Sequence, residues 1–304
     1  RPKTRRRESD EGFLVRYIYV VLFFYTSLFA FGVDVPEASV SNGRTAIIIF
    51  DKENGVEYEK IVADKRSYKI FTHPTNPGKL YALLPESYYG KARNQEVEVI
   101  YTKDSKKTSK IVFVKVQDGK YAKETIEVQK SKVNPTAKKV KDRTAREYAE
   151  AMKIYETITA KNYATSEYVA PMESKITSDF GKARVYNGSL SGYHSGTDFR
   201  ANVGTPILAS NDGKVVLAQD RFYSGNSIVV DHGQGIYTCY FHMSAFKVKR
   251  GDMVKKGQNI GLSGDTGRIT GPHLHFSARV GGVQVDPLQL LELLNKNLYQ
   301  GTKI

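Results

Sequence analysis

The sequence predicts a mostly β protein: a small N-terminal antiparallel β-sandwich, immunoglobulin-like in general form, then a connecting helix, then a second compact antiparallel β domain. Three observations carry this. Six short runs rich in β-branched and aromatic residues, separated by turn signals, fill residues 33–133. After Asn134-Pro135 one stretch changes to helical spacing. Residues 170–287 are rich in glycine and in strand-like runs, with no helical period.

Residues 1–32 read as an address. "RPKTRRRESDEGFLVR" is basic overall, and "YIYVVLFFYTSLFAFG" (17–32) carries no charge. That run is shorter than the roughly 20 residues a spanning helix needs. Ala30-Phe31-Gly32 resembles a small-x-small cleavage site. A signal peptide is the first expectation and a membrane anchor over 13–33 the second. Either puts the rest of the chain outside the cytoplasmic membrane.

The predicted strands of 33–133 are "TAIIIF", "YKIFTH", "KLYALLP", "EVEVIYT", "KIVFVKV" and "TIEVQK", divided by turns such as "KENG" and "PTNPG". This region holds no constellation of reactive groups. Its one histidine, His73, sits in "THPTNP" and reads as a loop residue. Residues 134–169 are a connecting helix and linker. "TAKKVKDRTAREYAEAMKIYETITA" sets Val140, Tyr148, Ala151, Met152, Tyr155 and Ile158 on one face and charges on the other. The polar stretch 161–168 reads as an exposed linker able to act as a hinge, and "KITSDFG" as a strand entering the second domain. Residues 288–304 read as a C-terminal helix or tail.

The net charge of +14 is spread along the chain, and no stretch alternates basic with aromatic residues, so no nucleic-acid partner is expected. A cationic surface suits an anionic polymer or a membrane surface. The single cysteine, Cys239, excludes an internal disulfide and reads as a buried strand residue.

The second domain carries "GTPILAS", "GKVVLAQD", "NSIVVDHG", "IYTCYFH", "QNIGLSG" and "HLHFSARV" as strands. Most of the chain's histidines lie here. In "GPHLHF", His273 and His275 are two apart, so on a strand they project together while Leu274 and Phe276 face the other way. "HSGTD" offers His194 and Asp198 four apart, and "YFHM" adds His242. A lone histidine is more often a hydrogen-bonded surface or core residue, and a lone H-x-x-x-D or H-x-H is weak. Their joint presence in one glycine-rich β domain points to a metal site, because zinc takes nitrogen, sulfur or carboxylate ligands near 2 Å.

"HSGTD", "YFHMS" and "GPHLHF", in this order, resemble the LytM and lysostaphin family of zinc metallopeptidases, which cut peptide cross-links in peptidoglycan. The likeness extends through "ITSDFG", "GTPILASNDGKVV", "GNSIVVDHGQG", "VKRGDMVKKGQNIGLSGDTGRITGPHLHF" and "VDP", so it covers about 175–287. The front half is more loosely similar to exported Gram-negative members that set cell shape in curved and helical bacteria. The resemblance implies one Zn²⁺ held by His194, Asp198 and His275, with His273 and His242 lining the site as catalytic groups. His273 is assigned the general base, and His242 either assists or hydrogen-bonds the oxyanion. His232, in "DHGQG", reads as a turn residue outside the chemistry. Asp231 and Asn226 read as ordering backbone or outer contacts, with Asn226 a further candidate for the substrate. Arg268, in "GDTGRITG", is a candidate for a substrate carboxylate.

The implied function is a periplasmic D,D-endopeptidase, with D,D-carboxypeptidase activity as an adjoining expectation. Its implied partners are peptidoglycan and muropeptides, with membrane or cell-shape proteins contacting residues 33–160. The rival readings are a non-catalytic wall-binding protein and an activator of another murein hydrolase. The front domain or its helix is further expected to cover part of the groove and to swing away when substrate binds.

Overall fold

The computed structural model describes residues 35–126, 137–186 and 189–300. The expected signal or anchor of 1–32, the end of the "TIEVQK" run and the last four residues lie outside the described residues. No described helix is long and apolar enough to cross a membrane.

Two sheets make the front half. One has five strands in the order Ala38–Ser41, Lys106–Gln117, Arg93–Lys103, Val56–Ala63, Arg66–Tyr68. The other has three, in the order Thr45–Asp51, Lys79–Pro85, Phe71–Thr72. Ile48, Phe50, Ala82 and Leu84 of the smaller sheet share one apolar core with Ile61, Val97, Val99 and Val114 of the larger. Two strands escape the sequence reading. "ASVS" is short, and "VEYEKIVA" places Glu57 and Glu59 between its apolar residues. "YKIFTH" divides, its start pairing in the larger sheet and Phe71–Thr72 in the smaller.

Strand Lys123–Ile126, from the "TIEVQK" run, belongs to neither sheet. It pairs in parallel with Ala183–Tyr186, which pairs with Ser189–Tyr193. A segment read as part of the front sandwich therefore builds the second half.

All six runs named in the second half form strands. The large sheet runs Ile176–Ser178, Thr197–Arg200, His273–Val280, Ile236–Phe246, Gly225–Gly233, Gly213–Arg221, Met253–Val254. One face packs Phe199, Ile228, Tyr240, Leu274 and Phe276 into the main core. On the other face, helix Lys138–Tyr155 lays Ala151 and Tyr155 against Leu217, Val229, Tyr237 and Cys239. Tyr148, placed on the apolar stripe by spacing, is 66% exposed.

Helix Pro287–Leu294 starts where Asp286 accepts hydrogen bonds from the backbone N–H groups of Leu288 and Gln289, with proline at the first helical position. Its Leu290, Leu291 and Leu294 share the main core with Tyr81 and Leu83 of the front half. Each such side chain buried stabilises by roughly 1.5–3 kcal/mol, so this seam is an apolar junction. Thr45 and Gln289 add a reciprocal pair of hydrogen bonds at 3.0 Å.

His73 lies in a loop as expected, but it is buried, and its Nε2 donates to Asn297 O at 2.8 Å, pinning the π-helix Asn295–Tyr299 to the front half. One expectation changes here. The stretch 161–168 is no exposed linker. Ala164, Ser166 and Tyr168 are buried in alternation, as in an extended segment packed on one side. Tyr163 N–H also donates to His232 O at 2.9 Å. A free hinge there is incompatible with these contacts.

Candidate metal centre

The large sheet assembles the site by register. Asp198 lies directly opposite His275, and Arg200 opposite His273. Directly opposed residues point to the same face, with Cβ atoms about 5 Å apart. Leu274 and Phe276 turn to the opposite face and are fully buried.

His194, at the end of the hairpin before strand Thr197–Arg200, completes the cluster. Its Nε2 lies 2.9 Å from Asp198 Oδ1 and 3.0 Å from His275 Nδ1, and these last two are 2.8 Å apart. All three side chains are buried. Gly196 allows this closeness, because a Cβ there would stand 2.4 Å from Phe276 O and 2.6 Å from His275 Nε2.

The donor set fits zinc. Ligands about 2 Å from a tetrahedral ion lie about 3.3 Å from each other, close to the separations here. His194 Nδ1 faces Asp179 O at 2.8 Å. A carbonyl only accepts, so Nδ1 carries the hydrogen and Nε2 is left as the ligand atom. Two nitrogens and one carboxylate oxygen leave a position open, as catalytic zinc sites do. Among the described residues this is the one His/Cys/Asp/Glu group with converging ligand atoms. Burial alone would raise the Asp198 carboxyl, but His194 and His275 outweigh it and hold that carboxyl well below the usual carboxylate range.

His273 and His242 stand beside the ligands. Their rings are 5.1 Å apart, and His273 Nε2 is 3.5 Å from Asp198 Oδ1. His273 Nδ1 donates to Gly271 O and His242 Nδ1 to Thr266 O, both at 2.8 Å. In each ring Nε2 is therefore the basic nitrogen. Burial first, then the neighbouring His275 and His273, push His242 down to about 3, so it is neutral at pH 7. His242 also has φ +62° where the strand register shifts, a left-handed backbone that costs a non-glycine residue about 1–3 kcal/mol. Thr266 secures this bulge, accepting from Asn226 N–H and donating to Met243 O. The "GDTGRITG" loop thus holds a histidine in place.

A groove of about 560 Å³ opens over the cluster, lined among others by Glu124, Arg184, Tyr193, Tyr223, Arg268 and Thr270. The Arg268 guanidinium lies 4.7 Å from the Tyr223 ring centroid. No lining residue comes from helix Lys138–Tyr155. Asn226 is not on the groove wall either. Its backbone serves the Thr266 anchor.

His232 is a fully buried strand residue rather than part of a turn, satisfied by Asp212 O at 2.8 Å and Thr238 Oγ1 at 2.7 Å. Asp231 orders backbone and linker, accepting from Gly233 N–H and Thr159 Oγ1. Burial pushes His232 down to about 4. The folded state thus binds this proton less readily than the unfolded chain, whose histidines titrate near 6.5. The stability His232 contributes is fully present above that value and is lost as pH falls toward 4. Melting of the zinc-stripped chain should therefore move to lower temperature between about pH 7 and pH 5, and the slope should flatten in His232→Gln. A melting temperature constant over that range would contradict a buried neutral imidazole.

Sequence reasoning missed Glu124, Ser178, Arg184 and Tyr193. The local signals were "ITSDFG", which holds Ser178, and the polar run "ARVYNGSLSGY" just before "HSGTD", which holds Arg184 and Tyr193; nothing local marked Glu124.

The profile of peptidase family M23 matches residues 192–287, the span that holds all three ligands and both neighbouring histidines. The chain carries a peptidase family M23 domain. Peptidoglycan DD-endopeptidase ShyA of Vibrio cholerae is 43% identical over 122 residues, which is 39% of this chain and 28% of ShyA. DD-carboxypeptidase/endopeptidase Mpg of Neisseria meningitidis is 42% identical over 97 residues, 32% of this chain and 22% of Mpg. The chain thus spans about a quarter of the length of these curated relatives. A putative M23 peptidase from Pseudomonas aeruginosa superposes with a TM-score of 0.64 at 25% identity, covering 83% of this chain and 95% of its own. That likeness takes in much of the front half as well as the M23 domain.

Proposed function

We propose that the chain is a zinc-dependent peptidoglycan D,D-endopeptidase, able also to act as a D,D-carboxypeptidase, in which His194, Asp198 and His275 hold the metal. The observation that carries this is the convergence of three buried ligand atoms within 3.0 Å of one another beneath an open groove. The relatives ShyA and Mpg, named for these two activities, support the substrate class.

When bound, zinc supplies polarisation of the scissile carbonyl and acidifies water at its open position. His273 Nε2, which carries the lone pair of the neutral ring and stands beside the ligands, takes a proton from the attacking water and later returns it to the leaving amine. His242 Nε2 starts as an acceptor, since its Nδ1–H is committed to Thr266 O. That favours the assisting role over hydrogen-bonding an oxyanion, which would require a protonated ring. Arg268 brings a guanidinium to the groove and suits a stem peptide that carries a free carboxylate. An activator that lacks catalysis has no need of a complete ligand set, so that reading is not favoured.

In this reading the enzyme is exported to the periplasm, with residues 1–32 as signal peptide or anchor, and serves wall remodelling and cell shape. The fixed seam between the halves supports a positioning role for residues 33–160, toward membrane or cell-shape proteins, over a swinging cover. The test is digestion of a defined muropeptide dimer joined through D-alanine and diaminopimelate, read by mass spectrometry. Cleavage into two monomers with the gain of one water is expected. Intact dimer, with a zinc-loaded protein, would refute the proposal.

A further inference from the structure

We propose that Glu124 is a positioning residue of the metal centre, aligning two of its three ligands at once: His194 through Ser178 and Asp198 through Arg184. The inference rests on the metal centre proposed above. It adds to that site a residue from outside the M23 span, on the strand that follows the front sheets.

Strand Lys123–Ile126 places Glu124 directly beside Arg184. One branch leads to a histidine. Ser178 Oγ lies 3.3 Å from both carboxylate oxygens of Glu124 and 3.2 Å from His194 Nδ1. The hydroxyl donates to Glu124 and turns its oxygen to the His194 Nδ1–H as a second, longer acceptor beside Asp179 O, which reinforces the tautomer whose Nε2 faces the metal. The other branch leads to the carboxylate. Arg184 Nε is 3.5 Å from Glu124 Oε2, and Arg184 Nη2 is 3.5 Å from Asp198 Oδ2. Asp198 thus turns Oδ2 to the arginine and keeps Oδ1 for the metal.

Charge explains why the acid is needed. A guanidinium beside a buried carboxylate tends toward a two-point pair with it. Such a pair on Asp198 would draw Oδ1 away from the metal position. Glu124 shares the cation with Asp198 and so draws it off a two-point pair. Lys182 Nζ, 4.0 Å from Glu124 Oε1, helps to hold the acid in place. A strand from outside the M23 span thereby reaches the metal centre.

The experiment uses the full chain and zinc itself, titrated against a chromogenic chelator, with the visible spectrum of the cobalt-substituted protein as a second readout. Glu124→Ala should weaken zinc by roughly 10- to 100-fold, the usual cost of losing an outer-shell partner, and should shift the cobalt bands. Glu124→Gln, which still accepts from Ser178, should recover part of that loss. Ser178→Ala and Arg184→Gln should each weaken zinc, and Glu124→Ala added to both should cost little more. A Glu124→Ala protein with zinc affinity and cobalt spectrum unchanged would overturn the proposal, as would an effect of equal size with and without Ser178 and Arg184. Should Glu124→Ala not fold, unchanged zinc affinity in both Ser178→Ala and Arg184→Gln would overturn it instead. A parent protein that binds no zinc would refute the metal centre itself, a different failure from that of Glu124.

Discussion

Replacing His194, Asp198 or His275 by alanine is expected to strip the chain of zinc and of hydrolytic activity together. The three ligand atoms lie within 3.0 Å of one another on a buried face. Each variant leaves two donors, too few for a site that must also keep a position open. The loss of affinity should exceed the roughly 10- to 100-fold that follows loss of an outer partner. Asp198→Ala also removes the negative charge that favours a cation among neutral imidazoles. Elemental analysis of the purified variants, paired with muropeptide digestion, is the check. Full zinc occupancy in any of the three removes that residue from the ligand set.

The second large effect separates holding the metal from moving protons. His273→Ala and His242→Ala are expected to retain zinc while turnover falls by roughly a hundredfold or more, the usual range for a general acid–base group. Both rings commit Nδ1–H to a backbone carbonyl, so in the neutral ring the lone pair lies on Nε2. His273→Ala should cost more, because His273 Nε2 stands closest to the ligands, 3.5 Å from Asp198 Oδ1. His242→Ala carries a complication that the measurement must control. It removes a side chain from a left-handed bulge, so folding should be checked by melting before kcat is compared. A His273→Ala protein that arrives without zinc would mean that the roles within the H-x-H pair are reversed.

Much of this site was legible because its signals are local. The two-residue period of a strand put His273 and His275 on one face and sent Leu274 and Phe276 into the core. The four-residue spacing in "HSGTD" offered His194 and Asp198 as a pair. What lay beyond reach depended on pairing between distant segments. Glu124 meets Arg184 through a parallel pair 60 residues apart in the chain, and neither residue's surroundings announce the other. His73 is the loop residue that its proline-rich turn suggests, but its burial depends on Asn297, which that turn does not reveal. The stretch 161–168 looked like a linker from its polar start, yet the strand-like alternation of Ala164, Ser166 and Tyr168 was present in it. The strand "VEYEKIVA" was hidden because its outward face is charged.

One zinc held by His194, Asp198 and His275 should decide whether this chain cleaves peptidoglycan cross-links. The most direct measurement strips the purified protein of metal, then follows hydrolysis of a defined muropeptide dimer as zinc is returned. No cleavage by the stripped protein is expected, and then a rise in rate that saturates near one zinc per chain. Cleavage at full rate without metal, or none at full occupancy, would contradict that expectation.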